Sequence, residues 1–117
     1  MTNLMLILTS VGSEQQALTI AEELIQQELV ACVNILPTMR SIYRFKGKVF
    51  DDEENLLLIK TSVDLYDEVT SVIAQMHTYE IPEIIGVPVE KCRESFRNWV
   101  IQNVHSADAG QDELSAP

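Results

Sequence analysis

The chain has 117 residues, 46% of them hydrophobic, with only 4 Gly and 4 Pro, enough apolar side chain to fill one core but not two. Eight basic residues against 18 acidic ones leave a formal charge of -10, which repels phosphate backbones and anionic lipid surfaces and sets nucleic acid and membranes aside as partners. The longest early apolar run, Leu4 to Leu8, is too short for a bilayer and lacks a basic start or small-residue cleavage site, while Cys32 and Cys92 form neither a CxxC pair nor a disulfide framework, so the cytosol is the expected compartment.

Leu4-Met5-Leu6-Ile7-Leu8 is a continuous apolar run, the pattern of a strand buried on both faces. Ser13 follows as a helix cap, with Gln16 three residues on, and Ala17, Ile20, Ala21, Leu24 and Ile25 recur at helical spacing to about Glu28. From Val30 the chain turns extended, kinks at Pro37 and runs to Lys46, where Gly47 suits a tight hairpin turn. The return strand takes Lys48-Val49-Phe50, the acids Asp51 to Glu54 and Leu56 to Ile59, and ends near Thr61. Asp64 is the expected cap of a second helix whose stripe is Leu65, Val69, Val72, Ile73 and Met76, ending near His77. Beyond a break at Pro82, Glu83 to Val89 reads as a fourth strand, and Pro88 inside it argues for an edge or a bulge. Phe96, Trp99, Val100 and Asn103 describe a short terminal helix, mostly apolar on one side. One domain is expected over residues 1–105, followed by a mobile acidic tail over 106–117, where Asp108, Asp112 and Glu113 sit among small polar residues without periodicity.

The order β-α-β-β-α-β plus a third helix is the split βαβ, or ferredoxin-like, α+β arrangement with a long hairpin between its second and third strands. Two helices then cover one face of a four-stranded sheet, and the other face normally meets water. The first and third strands are the central pair of this topology, and each carries Leu or Ile on both faces, so a second cover is expected. Val30 to Lys46 makes an arm of about 17 residues, about 55 Å if extended, against a usual strand of about 5 or 6 residues. An arm of that reach, carrying Tyr43, Phe45, Val49 and Phe50, exposes edges and rings that a partner copy would receive. A closed homo-oligomer is the expectation.

Leu29-Val30-Ala31-Cys32-Val33-Asn34-Ile35-Leu36-Pro37 and Ser41-Ile42-Tyr43-Arg44-Phe45-Lys46-Gly47-Lys48 together resemble the signature of the CutA family of divalent-cation tolerance proteins. Lys60-Thr61, His77-Thr78-Tyr79-Glu80-Ile81-Pro82-Glu83-Ile84-Ile85, Pro88-Val89-Glu90 and Trp99 extend the resemblance in unbroken order. It implies a homotrimer like the nitrogen-regulatory PII proteins, hairpins interlocked between subunits, and a link to tolerance of divalent cations, chiefly copper. Phe45 stands where the family usually has Trp, Cys92 where it often has Gly, and Phe96 where it often has Tyr. Some bacterial members carry Cys at the position of Thr9 and a second His at that of Met76.

Cys32 and His77 are the candidate metal ligands. A thiolate and a neutral imidazole suit soft copper, although a free Cys on an apolar strand packs more often than it ligates, and a His ending a helix also complements the helix dipole. Met76 offers a soft sulfur but sits on the apolar stripe, and Glu80 and Glu83 read equally as members of an ordinary loop. Asp51 to Glu54 lack an EF-hand pattern and read as a solvated turn. No cofactor is required on this reading; copper or another divalent cation, a small ligand or a protein is the expected partner besides the chain's own copies. Cys32 and His77 bring no third orienting group and no glycine-rich loop, so the chain reads as a binding protein and not an enzyme. The alternatives are a PII-like sensor of a small molecule without a physiological metal, and an RNA-recognition domain. The latter shares the strand order, but Lys48 falls where its strand-three motif wants a stacking aromatic.

Overall fold

In the computed structural model, which describes residues 2–105, the chain runs β1 (Leu4–Val11), α1 (Glu14–Gln26), β2 (Cys32–Phe45), β3 (Lys48–Ser62), a 3-10 turn (Val63–Leu65), α2 (Tyr66–Met76), β4 (Ile84–Val89) and α3 (Glu94–Gln102). The tail expected over 106–117 lies outside the described residues. The sheet order is β2-β3-β1-β4 with every neighbour antiparallel, so β1-α1-β2 and β3-α2-β4 each step over one strand, as a split βαβ requires. β4, with Pro88, is an edge strand.

Local chemistry sets most boundaries. The Ser13 hydroxyl accepts the Gln16 backbone N–H at 3.1 Å, the expected cap of α1. The helix closes when Glu28 turns left-handed (φ 58), its N–H donating to the Ile25 carbonyl and the Leu29 N–H to the Leu24 carbonyl. That double closure is a Schellman end without its usual glycine, and it drives Leu29 and Val30 into the core, so β2 begins at Cys32 and not at Val30. Asp64 does not cap α2. Residues Val63–Leu65 wind into the 3-10 turn, Leu65 precedes the helix with no side-chain bond to offer, and the Asp64 carboxylate accepts the Ser62 hydroxyl at 2.6 Å.

The two faces of the sheet are covered unequally. Ile7, Val11, Leu57 and Ile59 point to the helices and meet Ile20 and Leu24 of α1 and Val69 and Ile73 of α2, all at 0% exposure; each such side chain is worth about 1.5–3 kcal/mol of burial. On the alternate positions Leu6, Leu8, Leu56 and Leu58 are only half-buried, and Leu36, Ile85 and Val87 beside them are exposed at 44%, 49% and 42%. The helix α3 packs on β1 and β3 and closes only part of this face, with Leu4 and Val100 buried. Its expected apolar side does not turn inward as a whole: Phe96 and Trp99 stack on one another at 5.7 Å and stay exposed, and Asn103 folds back to donate to the Trp99 carbonyl.

The β2-β3 hairpin extends as an arm and stretches the molecule to 54 × 31 × 22 Å. Its register slips between Leu36 and Met39, where Pro37 has no N–H to give and Thr38 is left-handed at φ 63, a bulge that re-aims the strand. The tip turns through Lys46 (φ 51) and Gly47 (φ 81), two successive positive φ angles that suit a two-residue hairpin of the right twist.

Candidate functional site

The arm and the loop from His77 to Glu83 enclose a lateral cleft of about 670 Å³. Alternation along β3 puts Phe50, Asp52 and Glu54 on one face of the arm, opposite Tyr43, Ser41 and Met39 of β2. Asp51 to Glu54 are therefore strand and not the solvated turn expected from four consecutive acids. Their even members turn to the cleft side, and Asp51, on the reverse face, takes a two-pronged ion pair from Arg40 at 2.8 and 2.6 Å.

The loop is anchored by His77. Its Nδ1 accepts the Tyr79 backbone N–H at 3.1 Å, which leaves the proton on Nε2 to be donated to the Ser10 carbonyl at 2.7 Å. That tautomer aims Tyr79 across Gly12, where an added Cβ would stand 3.2 Å from the phenol oxygen, and lets its hydroxyl donate to Glu54 Oε2 at 2.6 Å. Burial, then the Glu54 hydrogen bond and nearby negative charge, push the Tyr79 phenol well above its ordinary range, so it remains a donor. On the opposite wall Tyr43 donates to Asp52 at 2.5 Å, a bond that, with desolvation and the charges of Asp52 and Glu54, pushes its phenol up to about 12. Tyr43 stacks on Phe50 at 5.4 Å. Glu83 accepts the Ser10 hydroxyl at 3.4 Å, and Lys46 at the hairpin tip reaches Glu80 at 3.3 Å, tying arm to loop.

Cys32 and His77 do not meet. Cys32 faces Lys60 in the register, and Lys60 faces Leu6, whereas His77 holds Ser10, four residues further along β1, or about 13 Å at strand rise. Cys32 is half-buried, with Asn34 Oδ1 3.8 Å from its sulfur, and Asn34 also accepts from Lys60. Met76 packs against the core. Among the described residues no group of three or more His, Cys, Asp or Glu side chains stands together as a metal cage. The sequence reading missed the pairing of Tyr79 with Glu54 and of Tyr43 with Asp52; strand alternation through the acidic run was the available signal.

A split βαβ sheet with one helical face, one open apolar face and a hairpin arm beside a lateral cleft defines a ferredoxin-like α+β protein. Within that class the chain belongs to the family of the CutA1 divalent ion tolerance protein, whose model matches residues 5–103. It is 38% identical over 97 residues to the divalent-cation tolerance protein CutA of Thermus thermophilus, covering 83% of this chain and 94% of that one. To protein CutA of Homo sapiens it is 38% identical over 94 residues, 80% of this chain and 52% of the human one, so it spans about half of that relative. The solved structure of the divalent cation tolerance protein from Thermus thermophilus superposes with a TM-score of 0.84 at 36% identity, over 87% of this chain and 99% of that one. CutA1 from Oryza sativa gives 0.85 at 31% identity, over 90% and 98%.

Proposed function

We propose that this protein acts in divalent-cation tolerance as a closed cytosolic homotrimer that holds a metal ion, a small ligand or another protein and catalyses no reaction. The observation that carries the reading is the half-open second face of the sheet, where Leu6, Leu8, Leu56 and Leu58 adjoin exposed Leu36, Ile85 and Val87. A contiguous apolar face is rarely left to water, and copies packed face to face, with arms exchanged, would close it; the number three follows the family resemblance. Copper is the proposed cation and Cys32 and His77 its donors. Because the two residues stand apart within one chain, the site would join Cys32 of one subunit to His77 of another, and His77 would give up one ring hydrogen bond to enter it.

Sedimentation velocity at micromolar concentration should give one species of three times the monomer mass, and a stable monomer overturns the trimer. Titration calorimetry with copper(I) and copper(II) should show binding that Cys32→Ser and His77→Ala each weaken. No binding by the parent, or unchanged binding by both variants, overturns the choice of ligands. The cleft favours a second reading, a PII-like regulator that senses a small molecule there without a physiological metal, since about 670 Å³ lies within the usual range of small-molecule pockets.

A further inference from the structure

We infer that the lateral cleft binds a primary organic ammonium ion carrying an apolar body of about the size of an aromatic ring. This rests on the small-molecule reading above and names the ligand class. The first ground is the sign of the lining: among the described residues that form it, Glu54 and Glu83 are carboxylic acids and no Lys, Arg or His contributes. The second is Glu54 itself. It is 6% exposed; Oε2 takes the Tyr79 hydroxyl, and the residue lines the cleft. A carboxylate can accept more donors than one phenol supplies, and a cation that brings N–H groups adds the strongest of them.

The third ground is that both wall phenols already spend their protons, Tyr79 on Glu54 and Tyr43 on Asp52. Apart from the Ser41 hydroxyl, which can donate or accept, the cleft presents acceptors and carboxylates to a ligand, which favours a cationic donor over a carboxylate or phosphate. The stacked Tyr43 and Phe50, with Phe45, supply ring faces that attract a cation, and Ile81, exposed at 73%, offers apolar cover. The chain's own Lys46 ammonium already rests 5.2 Å from the Phe45 ring centre and pairs with Glu80, an internal example of the same contact. A bare metal ion fits less well, because no third His, Cys, Asp or Glu side chain completes a cage among the described residues.

The test is calorimetry of the whole protein with 2-phenylethylammonium, against 2-phenylethanol and 3-phenylpropionate of similar shape. The ammonium should bind, the alcohol at least about tenfold more weakly, and the carboxylate not at all. Glu54→Gln should lose about tenfold for the ammonium and nothing for the alcohol; Phe50→Leu, a surface change that keeps the fold, should lose about threefold. Equal affinity for ammonium and alcohol, or no ammonium binding at millimolar concentration, overturns the proposal. So does hydrogen exchange showing residues 42–50 and 79–83 protected on self-association with no effect of the ammonium, which assigns the cleft to a neighbouring copy. Copper titration of the same samples separates the two readings: copper binding without ammonium binding defeats only this one, and the reverse defeats only the metal site.

Discussion

Thr9 is fully buried on the helical side of β1, and its hydroxyl has no hydrogen-bond partner. An unmet buried hydroxyl costs about 1–3 kcal/mol, and Val has the same shape without it. Thr9→Val is therefore expected to stabilise the fold by about 1 kcal/mol, read as a higher urea midpoint at unchanged slope; a lower midpoint would mean that the hydroxyl has a partner in the assembled protein. Single residues whose partners are local were legible in the sequence: Ser13 caps three residues ahead of itself, and Gly47 sits in the turn it suggested. Residues whose partners are distant were not. Tyr79 and Glu54 are 25 positions apart and meet only after the strand register and the His77 tautomer have set the loop, while Asp64 lost its expected role to a 3-10 turn that no single residue announces.

At the scale of the element, the hairpin arm carries most of what sequence reading foresaw and most of what it misread. Its length and kink followed from the extended run and Pro37, but four acids in a row look solvated until alternation sends Asp51 to Arg40 and Asp52 to Tyr43. These pairs give the arm opposite responses at the two ends of the pH scale. The Arg40 hydrogen bonds hold the Asp51 carboxyl below its ordinary range, so its contribution is present above about pH 3.9 and fades as pH falls through the depressed value. Tyr43, raised to about 12 mainly by the Asp52 bond, contributes fully below about pH 10 and loses that contribution as pH rises through its folded value. Ultraviolet difference titration should accordingly show a phenolate step near pH 12 that vanishes in Tyr43→Phe, leaving only the still later step of Tyr79, and that moves to lower pH in Asp52→Asn. A late amplitude undiminished in Tyr43→Phe would detach the step near pH 12 from the arm.

For the whole molecule, the decisive quantity is how much of the second sheet face meets water once copies assemble. Ile85 separates the cases because it is 49% exposed on an edge strand of the isolated chain. There a glutamate costs the monomer little, within about 0.5 kcal/mol for an ordinary surface change. Inside a closed apolar interface the same carboxylate loses its water with no counter-charge, which an association resting on apolar contact does not survive. Ile85→Glu should thus keep the helix and strand signature in circular dichroism yet sediment as a single chain, whereas Thr19→Glu, on the exposed side of α1, should keep the parental mass. Each copy also brings a formal charge of -10, so mutual repulsion opposes assembly and is relieved as salt shortens the screening length to about 10 Å at 0.1 M. Parental assembly should therefore tighten with added salt, the response expected when burial of Leu6, Leu8, Leu56 and Leu58 drives association and ion pairs do not. Loosening with salt would instead place charge pairs at the interface and move it away from this face.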